Sequence, residues 1–330
     1  MSTALLFSLV SAAAYAQSQI DQELDGRKRL FPEAGPGTAG LKRGPAGKYY
    51  VLQSHSVLVF DADGKKLSEI PPPGTKGASA LYYAQALDVD SEGRVYVADR
   101  GRNILRVYSP AGAQLLSVPF DSPTGIVALS GGEFAATSAT AEHLISVFNF
   151  KGEEVRSFGD LIDTFDDEKF NRAVNTGRLN TDSAGNIYFV FIYLPEPTFR
   201  KYDRIGYAAV DISLNTLEFA PPAQARRREI KRQIDHGQTP ELRTTISCMA
   251  IDPATQRIWL ALDNELLLLD PDGIVRAEYR VYTPAGARIA PNSILVEPDR
   301  LILTADPLGV YDFPRPDLEL KPAKPTPKQP

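Results

Sequence analysis

Asp88-Val-Asp90-Ser-Glu92-Gly93 places three acidic side chains at alternate positions and then a glycine, which is how a calcium-binding loop begins. A loop of the helix–loop–helix kind would continue to a bidentate glutamate and lie between two helices. Here Gly93 runs straight into "RVYVAD", a β-forming stretch, and Asp99 stands where that glutamate is needed. The plainer alternative is a tight turn, in which a short acidic side chain bonds the turn's own backbone and the glycine supplies the bend.

Few other residues announce chemistry. Cys248, the single cysteine, lies in the apolar run "SCMAI", where a buried, inert thiol is expected rather than a nucleophile. His55, His143 and His236 have no ligand spacing, which argues against a zinc site and gives acid–base catalysis little support. No G-x-S-x-G nucleophile elbow is present. Asp99-Arg100-Gly101-Arg102-Asn103 is the best polar contact cluster, because guanidinium forks suit carboxylates and phosphates and the glycine permits a tight turn. The competing reading is a turn in which Asp99 bonds nearby backbone. Tyr82 and Tyr83 offer either stacking surfaces or half-buried packing, and Arg200, in the loop region "YLPEPTFRKYDRIG", is a further candidate ligand contact.

The elements that must position these residues are short strands. Hydrophobic residues are 43% and charged residues 23% of the 330, enough to build a large core and too apolar for disorder. Twenty-six prolines and twenty-four glycines imply many turns and an all-β chain. A net charge of -5 argues against nucleic acid as the main partner. Residues 1–16 read as a signal peptide, with an apolar run from Ala4 to Val10 ahead of Ala14-Tyr15-Ala16, although the first basic residue is Arg27. A secreted or periplasmic protein is expected, and no run is long enough to span a bilayer. Residues 319–330 form a Pro/Lys-rich tail that cannot build a core.

Internal similarity carries most of the information. "GRVYVAD" matches "GKYYVLQ" at Gly47, "GNIYFVF" at Gly185, "QRIWLAL" at Gln256 and "DRLILTA" at Asp299, with a weaker copy, "GGEFAAT", at Gly131. The next strand returns as "SVLVFDADGKKLSEI", "NILRVYSPAGAQLLSV", "LISVFNFKGEEVRSF" and "ELLLLDPDGIVRAEY". Six units span residues 41–318. Strands this short cannot bury their faces alone, whereas a four-stranded blade packed between two neighbours in a closed ring can. The expected fold is therefore a six-bladed β-propeller of four-stranded blades with helical and loop insertions around the fourth. Residues 17–40 are candidates for the ring-closing strand. In this alignment the acid at Asp90 returns as Asp182, Asp252 and Glu297, while Asp88's place holds Lys42, Val127, Asn180, Ala250 and Leu295. Only one acid of the three belongs to the repeat, which favours the turn.

The repeat resembles the NHL family of propeller repeats, best in "ALDVDSEGRVYVADRGRNILRVYSPAGAQL" and less well in the third, fourth and sixth units. The resemblance implies an architecture shared by protein- and RNA-binding modules, lyases and calcium-dependent lactonases, so it does not choose a chemistry. It also implies that function sits around the central channel, on the face bearing the loops after the second strands. Two insertions flank the fourth unit on that face: acidic residues 159–178 and residues 220–246, whose helix-like core sets Arg226, Arg227, Arg228, Lys231 and Arg232 around Ile230 and Ile234. They either pair by charge into a lid or remain separate solvated loops.

Two readings follow. The first is a monomeric exported binding scaffold without cofactor, recognising a protein, peptide or glycan through Asp99, Arg100, Arg102, Asn103, Tyr82, Tyr83 and Arg200. The second is a calcium-dependent hydrolase or lactonase, in which Asp99, Asn103, Asp263, Asn264 and Asp306 supply hard oxygens, with Asn292 nearby.

Overall fold

In the structure, a computed structural model, residues 19–316 other than Leu217 are described. The signal segment and the Pro/Lys-rich tail lie outside them. The repeat units become six antiparallel sheets with innermost strands Thr38–Arg43, Ala84–Val89, Pro123–Ala128, Gly177–Thr181, Cys248–Ile251 and Ser293–Val296. These sheets are blades 1 to 6 of a β-propeller. Each of the six apolar clusters joins residues of two neighbouring blades, such as Tyr50, Leu52 and Val57 with Leu87, Val95 and Val97 between blades 1 and 2. The core is thus a ring of inter-blade seams, which is why no blade is stable alone.

The ring closes through the N-terminal segment. Strand β1 (Gln19–Asp25) adds parallel to the outer strand of blade 5, making that sheet five-stranded, and β2 (Lys28–Leu30) pairs antiparallel with Gly309–Pro314 as the fourth strand of blade 6. The buried Glu297 carboxylate then ties blade 6 to blade 1. It accepts from Arg43, from the Tyr49 hydroxyl at 2.9 Å, and from Arg300 Nε at 2.6 Å in its own blade.

The acidic motif is a turn. Asp90 Oδ1 accepts the amides of Glu92 (3.0 Å) and Arg94 (2.9 Å), and the Gly93 amide closes on the Asp90 carbonyl with Gly93 at φ 79°. Asp182 repeats this with the amides of Ala184 and Asn186, and Asp252 with those of Ala254 and Thr255. Asp88 plays another part: it takes the Ala128 amide of blade 3 at 2.9 Å and pairs with Lys42 of blade 1 at 3.1 Å. Glu92 points out to solvent beside Arg94.

Burial pushes the Asp90 and Asp182 carboxyls up, but hydrogen bonds outweigh it and leave both below the ordinary carboxylate value of 3.8. The bonds come from Arg94 and Tyr96 in the first case, and from Asn186, with Lys201 as an added charge, in the second. A depressed folded pKa stabilises the fold above the unfolded value, and that contribution is lost as pH falls through the folded one. Asp90→Asn and Asp182→Asn should therefore be less stable than the parent at neutral pH. The gap should narrow steadily below the unfolded value of 3.8. Urea unfolding from about pH 7 down to about pH 3 reads this directly, and a gap independent of pH would refute it.

Candidate functional site

The innermost strands enclose a channel cavity of about 240 Å³. At one level of this channel, set by the strand pairing, the six blades present Gly40, Ala86, Gly125, Arg178, Cys248 and Ser293. Five are small, and Arg178 occupies the space they leave. The next level is an apolar belt of Leu41, Leu87, Ile126, Leu179, Met249 and Ile294, all buried. Cys248 is 5% exposed, donates to the Pro291 carbonyl, and has its thiol pushed up to about 12 by burial, so it is an inert wall residue.

The Asp99 cluster is part framework and part surface. Asp99 is fully buried, its carboxylate accepts the amides of Tyr82 and Tyr83 (3.0–3.3 Å), and it lies 3.7 Å from the equally buried Arg106. It positions the tyrosines and leaves nothing for a ligand. Arg102 ties the inter-blade link through the carbonyls of Ala80 (3.0 Å) and Gly77 (2.8 Å), while Arg100 reaches Gln85, which lines the channel. Asn103, in a left-handed conformation, accepts the Ser122 amide. Tyr82 and Tyr83 remain 61% and 50% exposed, with Arg102 6.0 Å from the Tyr82 ring centre and the His55 ring at 6.4 Å.

Arg200 is elsewhere. It sits on the third strand of blade 4, bonded to Asp211 at 2.8 Å and to the Asp160 carbonyl, and stacked over Phe191. Strand pairing gives it the same register as Arg106 in blade 2, so it is a framework residue of blade 4's third strand, two blades away from the tyrosine cluster.

The oxygens proposed for calcium come from blades 2, 5 and 6. Asp99 and Asn103 are engaged as above, Asp306 accepts the Gly37 amide at 2.6 Å, and Asp263 and Asn264 form the tight loop between two strands of blade 5. The Asn292 side-chain amide donates to the Thr38 carbonyl, and its oxygen accepts from Thr304. Among the described residues no three His, Cys, Asp or Glu side chains converge as a metal site.

The two insertions do meet, but through carbon. Helix α1 (Glu168–Val174), capped by Asp167, buries Phe170 and Val174, and α2 (Ala220–Asp235), with prolines in its first turn, buries Ala223 and Ile230. Phe165, Phe170, Val174, Ile230 and Ile234 share one apolar cluster with Leu144 and Leu194. The charges go elsewhere: Arg227 grips Glu196 of blade 4's loop at 2.5 and 2.6 Å, and Arg172 pairs within α1. Among the described residues no ion pair joins the insertions, because a shared apolar face was available and exposed charges gain little by pairing.

Arg106 and Arg178 escaped notice in the sequence. Arg106 had a signal, being a guanidinium inside an otherwise apolar strand, "ILRVY"; Arg178 had none, since it merely ends the acidic insertion.

The class these features define is a six-bladed β-propeller. Solved structures share that fold. The chain superposes on virginiamycin B lyase from Staphylococcus aureus with a TM-score of 0.52 at 15% identity, covering 87% of each chain. A streptogramin B lyase gives a TM-score of 0.55 at 14% identity over 88% of this chain and 87% of that one. U3-55K gives 0.55 at 12% identity over 84% and 77%. At these identities the likeness is one of fold alone. No protein-family model and no curated protein matches the sequence, so NHL membership stays an expectation while the six-bladed architecture stands.

Proposed function

We propose that the chain is an exported, NHL-like binding scaffold that captures a protein, peptide or glycan on the loop face, with Tyr82, Tyr83, Arg100 and Arg102 as contacts. The observation that carries this reading is the pair of adjacent, exposed tyrosines in the link that leads into the innermost strand of blade 2. Tyrosine and arginine dominate the energetics of binding patches, offering large area and polar tips at small entropic cost. Asp99 holds both tyrosine amides from beneath, so the rings are presented by a rigid link, and preorganisation raises affinity.

Glycan and peptide arrays probed with the full chain should yield ligands that the Tyr82→Ala/Tyr83→Ala variant binds at least about tenfold more weakly. Its melting temperature should be nearly unchanged, because exposed side chains contribute little to stability. Ligands bound equally well by the variant would move the site off this face. Stoichiometric calcium detected by calorimetry and stripped by chelator would instead favour the hydrolase reading.

A further inference from the structure

We infer that the mouth of the central channel is a binding site for a small oxyanion, a carboxylate or a phosphate, held by Arg178. This inference is independent of whether the tyrosine pair captures a partner.

The charge balance of the cavity motivates it. Lys42 and Arg178 are the charged residues among those lining the channel, and no carboxylate lines it. Lys42 is neutralised by Asp88 at 3.1 Å, near the far end of the innermost strands. Arg178 has no carboxylate within ion-pair distance among the described residues; its one hydrogen bond runs from Nη1 to the Asn292 carbonyl at 3.0 Å. A guanidinium facing a channel and lacking a counter-charge is an unusual arrangement, because its desolvation is left uncompensated.

The geometry says what would compensate it. Nη1 lies on the side of the guanidinium away from the Nε–H, so the Asn292 bond leaves Nε and Nη2 without a protein acceptor. Nε is buried. The Nε–Nη2 edge presents two parallel N–H groups, the arrangement that grips a carboxylate or phosphate with two bonds. Arg106 and Arg156 also have a buried, unpaired Nε, but each has a carboxylate beside it, so Arg178 differs from them in lacking a counter-charge. Space exists because the ring neighbours at this level are Gly40, Ala86, Gly125, Cys248 and Ser293, and at about 240 Å³ the cavity suits a small ligand. The buried apolar belt beneath limits how far such a ligand can enter and provides a low-dielectric floor that strengthens the ion pair.

The test titrates inorganic phosphate and succinate separately into the full chain at constant ionic strength, with chloride as the reference, by calorimetry and thermal shift. Saturable binding of one equivalent is expected. It should weaken by at least about tenfold in both Arg178→Gln and Arg178→Lys, since lysine keeps the charge but loses the fork. Whichever anion binds identifies a phosphoryl or a carboxylate ligand. No binding of either beyond the chloride reference, or undiminished binding by Arg178→Gln, overturns the inference. Should both variants fail to fold, phenylglyoxal labelling of the parent chain replaces them. Anion should then protect the Arg178 peptide while other arginines label as before, and equal labelling of that peptide with and without anion is the overturning result.

Discussion

Alanine at Asp99 is expected to destabilise the protein by about 3–5 kcal/mol, the usual cost of removing one partner from a buried ion pair. Asp99 and Arg106 are 0% and 1% exposed. At 3.7 Å their contact is electrostatic, too long for a hydrogen bond, and Arg106 is otherwise held by Gln114 and the Ala78 carbonyl, each at 2.7 Å. Removing the carboxylate strands a buried guanidinium and also strips the Tyr82 and Tyr83 amides of their acceptor. For a chain of this size the loss corresponds to a fall in melting temperature on the order of 10 °C. Arg106→Leu alone should cost a comparable amount for the mirror-image reason. The double variant should cost clearly less than the sum of the singles, since no unpaired charge remains. Urea unfolding gives all four corners of the cycle. An Asp99→Ala variant within about 1 kcal/mol of the parent would return Asp99 to the surface and to direct ligand contact.

Deleting residues 19–30 should do at least as much damage. It removes the closing strand of blade 6 and the extra strand of blade 5, uncovers the outer strands Gly309–Pro314 and Val275–Tyr282, and exposes the apolar contacts of buried Leu24. Loss of Leu24 burial alone is worth about 1.5–3 kcal/mol, and unpaired strand edges add the penalty of lost pairing and a template for aggregation. The expected result is a chain that melts at least about 10 °C lower and associates through the open edges. Grafting "GRKRL" behind Gly309–Pro314 through a short hairpin turn should recover much of the loss, because the closing strand runs antiparallel to that strand and a hairpin delivers the same direction. A deletion variant that melts with the parent would show that the seam between blades 6 and 1, tied by Glu297, suffices without the strand.

Much of the architecture was legible because its grammar is local. The turn at Asp90 is closed by contacts within six residues, from Asp90 to Tyr96; the turn at Asp182 uses the same bonds, and that at Asp252 is closed as locally, by the amides two and three residues on. Such units repeat visibly, so the six blades and the registers of the acids could be read from strings alone. Short runs rich in Val, Leu, Ile and Tyr likewise marked the second and third strands. The candidate site was only half legible. Tyr82, Tyr83, Arg100 and Arg102 do lie together, because they are neighbours in one link and one loop of the same blade edge. Arg200 resembled them in type but sits on the third strand of blade 4, two blades away from that link.

What the linear order could determine, then, is every feature made by residues near one another along the chain: strand, turn, cap and blade. What only the closed ring decided is which distant groups meet. The Arg178 bond to the Asn292 carbonyl spans 114 positions, and the Arg43 and Tyr49 contacts to Glu297 span 254 and 248. The insertions met through Phe170 and Ile230, not through their opposite charges, because desolvating carbon is favourable at a packed seam and pairing exposed charges is nearly neutral. Burial, too, is a property of the assembled ring: the same aspartate–arginine string that could have gripped a ligand became framework at Asp99 once neighbouring blades excluded water from it.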